Sequence, residues 1–135
     1  MVQTYNPKKV HVSVDSSTVT GFAEDSFISV SPKGEGTTSQ TGCDGVVVRA
    51  IDVNKQCVIK LVLQQTSPFN KKFHDKFLAD KKDGTGTFTL SIEDANSDGD
   101  FSFTVTAWVQ NRGEYTRGRN AGNIEWTLET DSVEF

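Results

Sequence analysis

The sequence has 135 residues, of which 35% are hydrophobic and 24% are charged, and its formal net charge is −4. These values are typical of a folded protein, and the length fits one domain over residues 1–135. No apolar run exceeds three residues, whereas a helix needs about 20 to cross a membrane. The composition therefore excludes a membrane-spanning helix, and we expect no membrane partner.

Charge is distributed unevenly along the chain. The segment from Lys71 to Lys82 carries five lysines and two aspartates, so it is basic and the remaining residues are acidic. Because phosphate contacts need clustered lysine and arginine, we do not expect tight nucleic-acid binding by the acidic part. The first residues lack a basic start followed by an apolar stretch, which predicts no secretory signal and a protein made in the cytoplasm.

Apolar and polar residues alternate with a period of two, which predicts β-strands. In chain order these strands are Val10–Val14, Val19–Phe22, Phe27–Ser31 and Val46–Asp52. The next one, Cys57–Leu63, is apolar on both faces, and this pattern predicts the most central strand of a sheet.

A long segment, Ser31–Gly45, separates two of these strands. It is rich in glycine, serine and threonine and contains no large apolar residue. Loops of this length are uncommon in compact domains and are usually functional or disordered. We therefore predict a loop here.

One amphipathic helix is predicted after Cys57–Leu63. Ser67 suits the N-cap and Pro68 the first helical position, and Asp83-Gly84 ends the helix. Its apolar stripe consists of Phe69, Phe73, Phe77 and Leu78. A stripe of this spacing indicates packing against the core, with the lysines mainly on other faces.

Three further strands are predicted at Phe88–Ile92, Phe101–Val109 and Ile124–Leu128, and the polar residues 97–100 form a turn between the first two. The predicted fold is mostly β: a small barrel or sandwich of seven or more short strands, with the amphipathic helix packed on it.

The acidic segment after Phe88–Ile92 resembles the opening of a calcium loop, because Asp94, Asn96 and Asp98 occupy alternate positions before a glycine. The twelfth position of such a loop requires glutamate, and here it is Val105. The flanking strands also argue against a helix-loop-helix site. We favour an acidic hairpin turn and keep the three residues as candidate metal ligands, without predicting a cofactor.

No set of residues forms a catalytic constellation. His11 falls on the outer face of a strand and His74 on the helix, and neither a nucleophile elbow nor a phosphate-binding loop is present. We therefore predict that the chain is not an enzyme. Cys43 and Cys57 are expected to be free thiols, the first exposed and the second in the core.

A glycine-containing segment near the C-terminus mixes arginine with one tyrosine. Its candidate contact residues are Arg112, Tyr115, Arg117 and Arg119. A glycine-rich loop of this kind is more often simply solvated. The alternative is a contact with nucleic acid or an acidic partner, and mainly with protein, because arginine and tyrosine are favoured at protein interfaces.

Three motifs carry a family resemblance: Tyr5-Asn6-Pro7-Lys8-Lys9-Val10 before the first strand, Thr20–Phe27, and Leu63–Asn70 at the strand-to-helix junction. Together with Ile124-Glu125-Trp126 they extend over nearly the whole chain. The sequence resembles the tail tube proteins of contractile-tailed bacteriophages, which are similar to the tubes of R-type pyocins and type VI secretion systems. The cysteines are not a recurring feature of that family.

The resemblance implies hexameric rings that stack into a hollow tube in the virion tail, assembled in the host cytoplasm. Expected partners are other copies of the chain, the sheath, tape-measure, baseplate and tail terminator proteins, and phage DNA passing through without specific binding. In this setting the long loop is expected to contact the next ring through Lys33, Gly34, Glu35, Gly36, Thr37, Thr38 and Gln40. The helix lysines Lys71, Lys72 and Lys76 are expected to face the sheath.

An alternative from another class is a β-sandwich module that binds carbohydrate or a cell surface. Such modules usually expose aromatic platforms. Trp108 falls on the polar side of its strand and is the candidate, whereas Trp126 falls with the apolar residues. A tube protein of a pyocin or type VI-like secretion system is a further alternative, which shares fold and assembly.

Overall fold

A computed structural model describes residues 2, 4–23, 27–96 and 101–132. A 3-10 turn at Pro7–Lys9 precedes the strands. The strands are β1 (Val10–Val14), β2 (Ser17–Thr18), β3 (Ile28–Pro32), β4 (Thr38–Thr41), β5 (Val47–Ala50), β6 (Cys57–Gln64), β7 (Phe88–Asp94), β8 (Phe101–Arg112) and β9 (Asn123–Thr130). Helix α1 (Phe69–Asp83) lies between β6 and β7.

Seven strands form one sheet in the order β2-β1-β7-β8-β9-β6-β3, and β4 and β5 form a separate pair. Neighbouring strands in the sheet are antiparallel. Asp15 and Ser16 join β1 to β2, and both have positive φ, at 49° and 71°. A two-residue hairpin turn of this kind matches the right-handed twist of the strands it joins.

The alternation of the sequence places one face of the sheet in the core. Val12 lies opposite Ile92 on the neighbouring strand, and Val109 lies opposite Leu128. Residues of β1 and β6, which are far apart in the strand order, belong to the same buried cluster. The sheet is therefore curved around a shared core. Trp126 is completely buried in it, as its place among apolar residues predicts.

Helix α1 covers this apolar face. The Phe73 ring is buried, with its centroid 5.6 Å from Trp126 and 6.0 Å from Phe88. Phe69 and Phe77 pack against the same cluster in partly buried positions. The helix ends at Gly84, which adopts the left-handed conformation (φ 75°) and donates its N–H to the Asp80 carbonyl. The predicted helix and the core role of its phenylalanines are confirmed, but Leu78 is 48% exposed and lies outside the core.

The start of α1 differs by one residue from the prediction, because Pro68 is the cap and Phe69 the first helical residue. Ser67 nevertheless takes part in the cap: its Oγ accepts the Phe69 N–H at 3.4 Å and donates to the Thr20 carbonyl at 2.6 Å. Ser67 thus fixes the helix start against the segment after β2.

Two strand predictions are wrong. Strand β6 is second from the edge, and β8 is central; β6 buries one face completely, while Val58 and Val62 on its other face are partly exposed. The apolar second face of β6 therefore does not show that this strand lies at the centre of the sheet. The predicted strand Val19–Phe22 is replaced by β2, which ends at Thr18, and a single bridge between Phe22 and Leu63.

The loop predicted for Ser31–Gly45 is also wrong, since β4 forms within it and pairs with β5. Its threonine and glutamine side chains are compatible with a strand, but no apolar alternation marks them. The predicted turn at 97–100 lies outside the described residues. The other predicted strands are confirmed within a few residues, as is the mostly-β sandwich with one packed helix. Within the described ranges, no helix is long and apolar enough to cross a membrane.

Candidate assembly surfaces

The β4–β5 pair is a hairpin that stands apart from the core. Gln40 lies opposite Val48, and the turn is closed by the Gly42 N–H bonded to the Val46 carbonyl at 2.8 Å. Every residue of both strands is exposed. We call residues 38–50 the hairpin. Because a two-stranded hairpin is only marginally stable alone, its orientation depends on what holds its base.

The Asp52 carboxylate holds the base. One oxygen accepts the Glu35 N–H at 2.8 Å and the Gly36 N–H at 3.4 Å, and the other accepts the Asn54 N–H at 2.9 Å. These bonds, that of Asn54 first, lower the pKa of Asp52 below its usual value. A side chain at Gly34 would collide with the carboxylate. The charge of one residue therefore joins the two chain segments that lead into and out of the hairpin.

The hairpin and the segment after it expose a set of apolar side chains. Their exposed fractions are 57% for Val46, 59% for Val47, 62% for Val48, 73% for Ile51 and 88% for Val53. Scattered apolar residues are normal on a protein surface, but five exposed ones within residues 46–53 indicate an interaction site. The residues expected to contact the next ring lie beside these apolar side chains. Lys33, Gly34, Glu35 and Gly36 are at the base of the hairpin, Thr37 directly precedes β4, and Thr38 and Gln40 are in β4.

Lys33 also ties the base to the sheet. Its Nζ lies 2.7 Å from Glu129 Oε1, and the other Glu129 oxygen accepts the Trp108 indole N–H at 3.3 Å. Glu129 is thereby shared between the hairpin base and the sheet face opposite α1. Trp108 is half-buried and bonded there, so it does not form an open aromatic platform.

The sheet face opposite the core is polar. Ser13 lies opposite Ser91, and Ser91 opposite Thr104, whose hydroxyl donates to the Ser91 hydroxyl at 3.2 Å. Charged residues on this face include Glu93 and Glu125, which are both exposed. Hydroxyl-rich strands with few apolar side chains form a surface that suits water or a polar partner better than a second core.

The three helix lysines are placed differently. Lys71 is exposed. Lys72 and Lys76 are half-buried and reach the β1–β2 turn: Lys72 Nζ donates to the Val14 carbonyl at 3.4 Å, and Lys76 Nζ lies 3.7 Å from Asp15. Two of the three therefore make contacts within the chain that attach the helix to the turn.

The residues of the arginine-rich segment lie in two different surroundings. Arg112 stays against the helix, with Nη1 2.8 Å from His74 Nδ1 and its guanidinium 5.4 Å above the Trp126 ring centroid. Arg117 stacks on Tyr115 at 4.1 Å, and both are exposed, as is Arg119. The structure does not bring these residues to the hairpin.

The candidate metal ligands make bonds to the chain itself. Asn96 is buried, bonds to Asp94 Oδ1 at 2.8 Å, and accepts the Asn6 N–H at 3.0 Å. Asp98 lies outside the described residues. Among the described residues, no group of three His, Cys, Asp or Glu residues is arranged to hold a metal ion. Asp94 and Asn96 therefore anchor the N-terminal segment.

A groove that the sequence did not predict lies between the start of β1 and the segment before β3. Its volume is about 430 Å³, and it is lined by Pro7, Lys8, Val10, Val19, Thr20, Phe22, Ala23 and Phe27. The Phe22 and Phe27 rings are in contact, with centroids 4.8 Å apart. Its lining is mainly apolar, in contrast to the hydroxyl-rich sheet face.

Comparison with known proteins assigns the chain to a family. The sequence model of a protein family, described as bacteriophage PhiTE tail tube protein, matches residues 8–135, which is nearly the entire chain. The chain belongs to the PhiTE tail tube protein family. The chain is also 30% identical, over 114 residues, to structural protein ORF10 of Pseudomonas phage KPP10. That alignment covers 78% of the chain but 65% of the relative's length.

Family membership gives the protein a structural role in a bacteriophage tail and places it in the virion. This is a family of structural proteins, which favours a role without catalysis.

Two apolar surfaces, the hairpin valines and the groove, were not predicted from the sequence. A signal for the first exists in the triplet Val46-Val47-Val48, which is followed by Arg49 and faces a segment without apolar residues. A buried strand needs an apolar partner strand, and the segment that precedes the triplet, Ser31–Gly45, contains no large apolar residue. The groove is lined by residues between Pro7 and Phe27, but no pattern in this stretch marks Phe22 and Phe27 as groove residues, because alternation reports a buried strand face and not an open groove.

Proposed function

We propose that this tail tube protein forms hexameric rings that stack into the inner tube of a contractile phage tail and conduct DNA during ejection. The hairpin makes the contact between successive rings. A single observation carries this role: a chain whose family builds tubes extends a hairpin with exposed valines away from its own core. Burial of those valines between subunits contributes roughly 25 cal/mol for each Å² of apolar surface removed from water.

The polar sheet face lines the lumen in this proposal. Thr87, Thr89 and Glu93 are exposed and Ser91 is half-buried. A hydroxyl-rich surface with acidic side chains offers DNA no clustered cations, so the DNA slides instead of binding. The tape-measure protein occupies the same lumen before ejection.

The helix faces the sheath. Lys71 is exposed on the side of α1 away from the core, whereas Lys72 and Lys76 divide their surface between solvent and the β1–β2 turn. We therefore assign the sheath contact mainly to Lys71. Baseplate and terminator proteins bind the two ends of the tube. The carbohydrate-binding alternative is not proposed, because its candidate platform, Trp108, is bonded to Glu129.

Negative-stain microscopy of the purified protein over a concentration series tests the proposal. We expect six-membered rings or hollow tubes from the natural chain. Val48→Glu should abolish them, because it places a charge in the apolar contact, while the melting temperature stays within experimental error.

Leu78→Glu is the matched control, since it adds the same charge at an exposed apolar position on the helix. It should assemble like the natural chain. Tubes formed equally well by Val48→Glu would contradict the role of the hairpin. If no rings or tubes form under any condition, even on addition of tail extract, the tube proposal itself is wrong.

A further inference from the structure

The chain carries two separate apolar surfaces, and their shapes are opposite. One is convex: the hairpin, with Val46, Val47 and Val48 each more than half exposed. The other is concave: the groove of about 430 Å³ lined by Val10, Phe22 and others. The hairpin is held at its base by bonds of the flanking residues, those of Asp52 with Glu35 and Gly36 and that of Lys33 with Glu129. Neither surface covers the other within one chain.

Strand β3 relates the two surfaces. Phe27, in the groove lining, directly precedes β3, and the segment to the hairpin begins directly after Pro32. A strand of five residues at about 3.3 Å per residue spans roughly 16 Å. The groove and the hairpin are therefore connected to opposite ends of the same strand. Two different, complementary surfaces arranged in this way produce head-to-tail contacts, which repeat, and not a closed symmetric dimer.

Charge at the two surfaces is also complementary. Lys8 lines the groove. Asp44 is exposed in the hairpin turn, and its Oδ1 accepts the Val46 N–H at 3.3 Å. Opposite charges beside an apolar contact fix its orientation and add little to its affinity.

We propose that the hairpin of one copy of the chain inserts its valines into the groove of the next copy, with Asp44 beside Lys8. This inference rests on the proposed function and names the partner surface of the hairpin. The repeat then follows the direction of β3, so hairpin length and groove position together determine the distance between successive copies. The occupant is a second copy because the family assembles with itself and the chain supplies both complementary surfaces.

The natural Cys43 provides a direct test, because it is an exposed free thiol in the hairpin turn. Lys8→Cys places a second thiol at the groove. In assembled protein, a short bis-maleimide reagent should join Cys43 of one copy to position 8 of another. Proximity raises the effective concentration of the two thiols, so we expect at least about tenfold more cross-linked dimer than with Lys71→Cys. Lys71→Cys makes the same lysine-to-cysteine change at an exposed position of helix α1.

Adding Cys43→Ser should abolish the cross-link, and adding Val48→Glu should reduce it to the level of Lys71→Cys while both thiols remain. If Lys8→Cys fails to fold, Thr20→Cys supplies an exposed thiol in the same groove. Tubes that form without a groove cross-link overturn this inference and leave the tube proposal intact. Efficient cross-linking at Lys71→Cys instead would place the hairpin against the helix of the next copy, which also overturns it. Absence of rings and tubes, by microscopy, is the separate failure of the proposed function.

Discussion

Strands β6 and β5 are built from similar residues and lie in opposite surroundings. In β6, Ile59, Leu61 and Leu63 are completely buried. In β5, Val47 and Val48 are about 60% exposed. The difference lies in the neighbours: β6 pairs on both sides and faces the shared core, whereas β5 pairs, among the described residues, only with the polar β4. Burial is therefore decided by the layers around a strand and not by its composition.

This contrast also separates stability from assembly. The sheet and helix supply the apolar contacts that fold the chain, and the hairpin supplies apolar surface that folding leaves exposed. Exposed contiguous apolar surface is costly for a monomer and is normally retained for a partner. Variants in the two regions should accordingly change different measurements.

The largest expected difference is between the two thiols. Cys43 is exposed in the hairpin turn, and Cys57 is buried at the start of β6, where burial raises the pKa of its thiol. Reaction of Cys57 with a thiol reagent requires opening of the sheet. If that opening costs about 5 kcal/mol, Cys57 reacts more than about a thousandfold more slowly than Cys43.

Labelling of unassembled protein with a chromogenic disulfide reagent measures this ratio. One thiol should react rapidly in buffer, and the second only in denaturant. Cys43→Ser identifies the fast thiol, because it should remove that phase completely. Two fast phases in native buffer would show that the start of β6 opens as readily as the hairpin.

The next effect is on global stability. Phe73→Ala removes a buried ring that contacts Trp126 and Phe88, and such truncations typically cost about 3–5 kcal/mol. Val48→Ala in the hairpin should cost less than about 0.5 kcal/mol, as surface substitutions do.

Urea unfolding of dilute protein, followed by tryptophan fluorescence, compares these two variants with the natural chain. Phe69→Ala, at a partly buried position on the same helix face, should give an intermediate loss. A large loss for Val48→Ala would mean that the hairpin packs on the folded chain, and the division between folding and assembly would be wrong.

Most of the fold could be predicted from the sequence, because its signals are local. Alternation at Phe88–Ile92 and Ile124–Leu128, and the four-residue spacing of Phe69, Phe73 and Phe77, depend only on the period of each element. The most central strand was not predictable in this way. β8 is central and is not the most apolar strand, since its second face is polar and partly exposed.

The candidate sites were less predictable, because they depend on contacts between distant segments. Lys76 is part of a basic helix in the sequence, yet its ammonium lies beside Asp15 on the β1–β2 turn. Asp94 and Asn96 fit a metal-loop pattern, yet Asn96 bonds to Asn6, ninety positions away. Their roles follow from the partners that the fold supplies, which no spacing in the sequence records.

The smallest expected effect is local and depends on pH. The pKa of Asp52 is lowered in the folded chain by N–H groups of Asn54, Glu35 and Gly36. A carboxylate with a lowered pKa stabilises the fold fully above its unfolded pKa of about 3.9, and the contribution is lost as pH falls through the folded pKa. The hairpin base should therefore loosen in acid, below about pH 4, and remain fixed at neutral pH.

Amide hydrogen exchange measures this loosening at the Glu35 N–H, which donates to Asp52. Its protection factor, which already corrects for intrinsic exchange, should fall as pH decreases through this range. Asp52→Asn should show low protection at every pH, because the neutral amide accepts more weakly than the carboxylate. Glu35→Gln, the matched control, removes a negative charge from the same segment and should keep the pH profile of the natural chain. If Glu35→Gln also lost the profile, the net charge of the segment, and not the three bonds to Asp52, would hold the base of the hairpin.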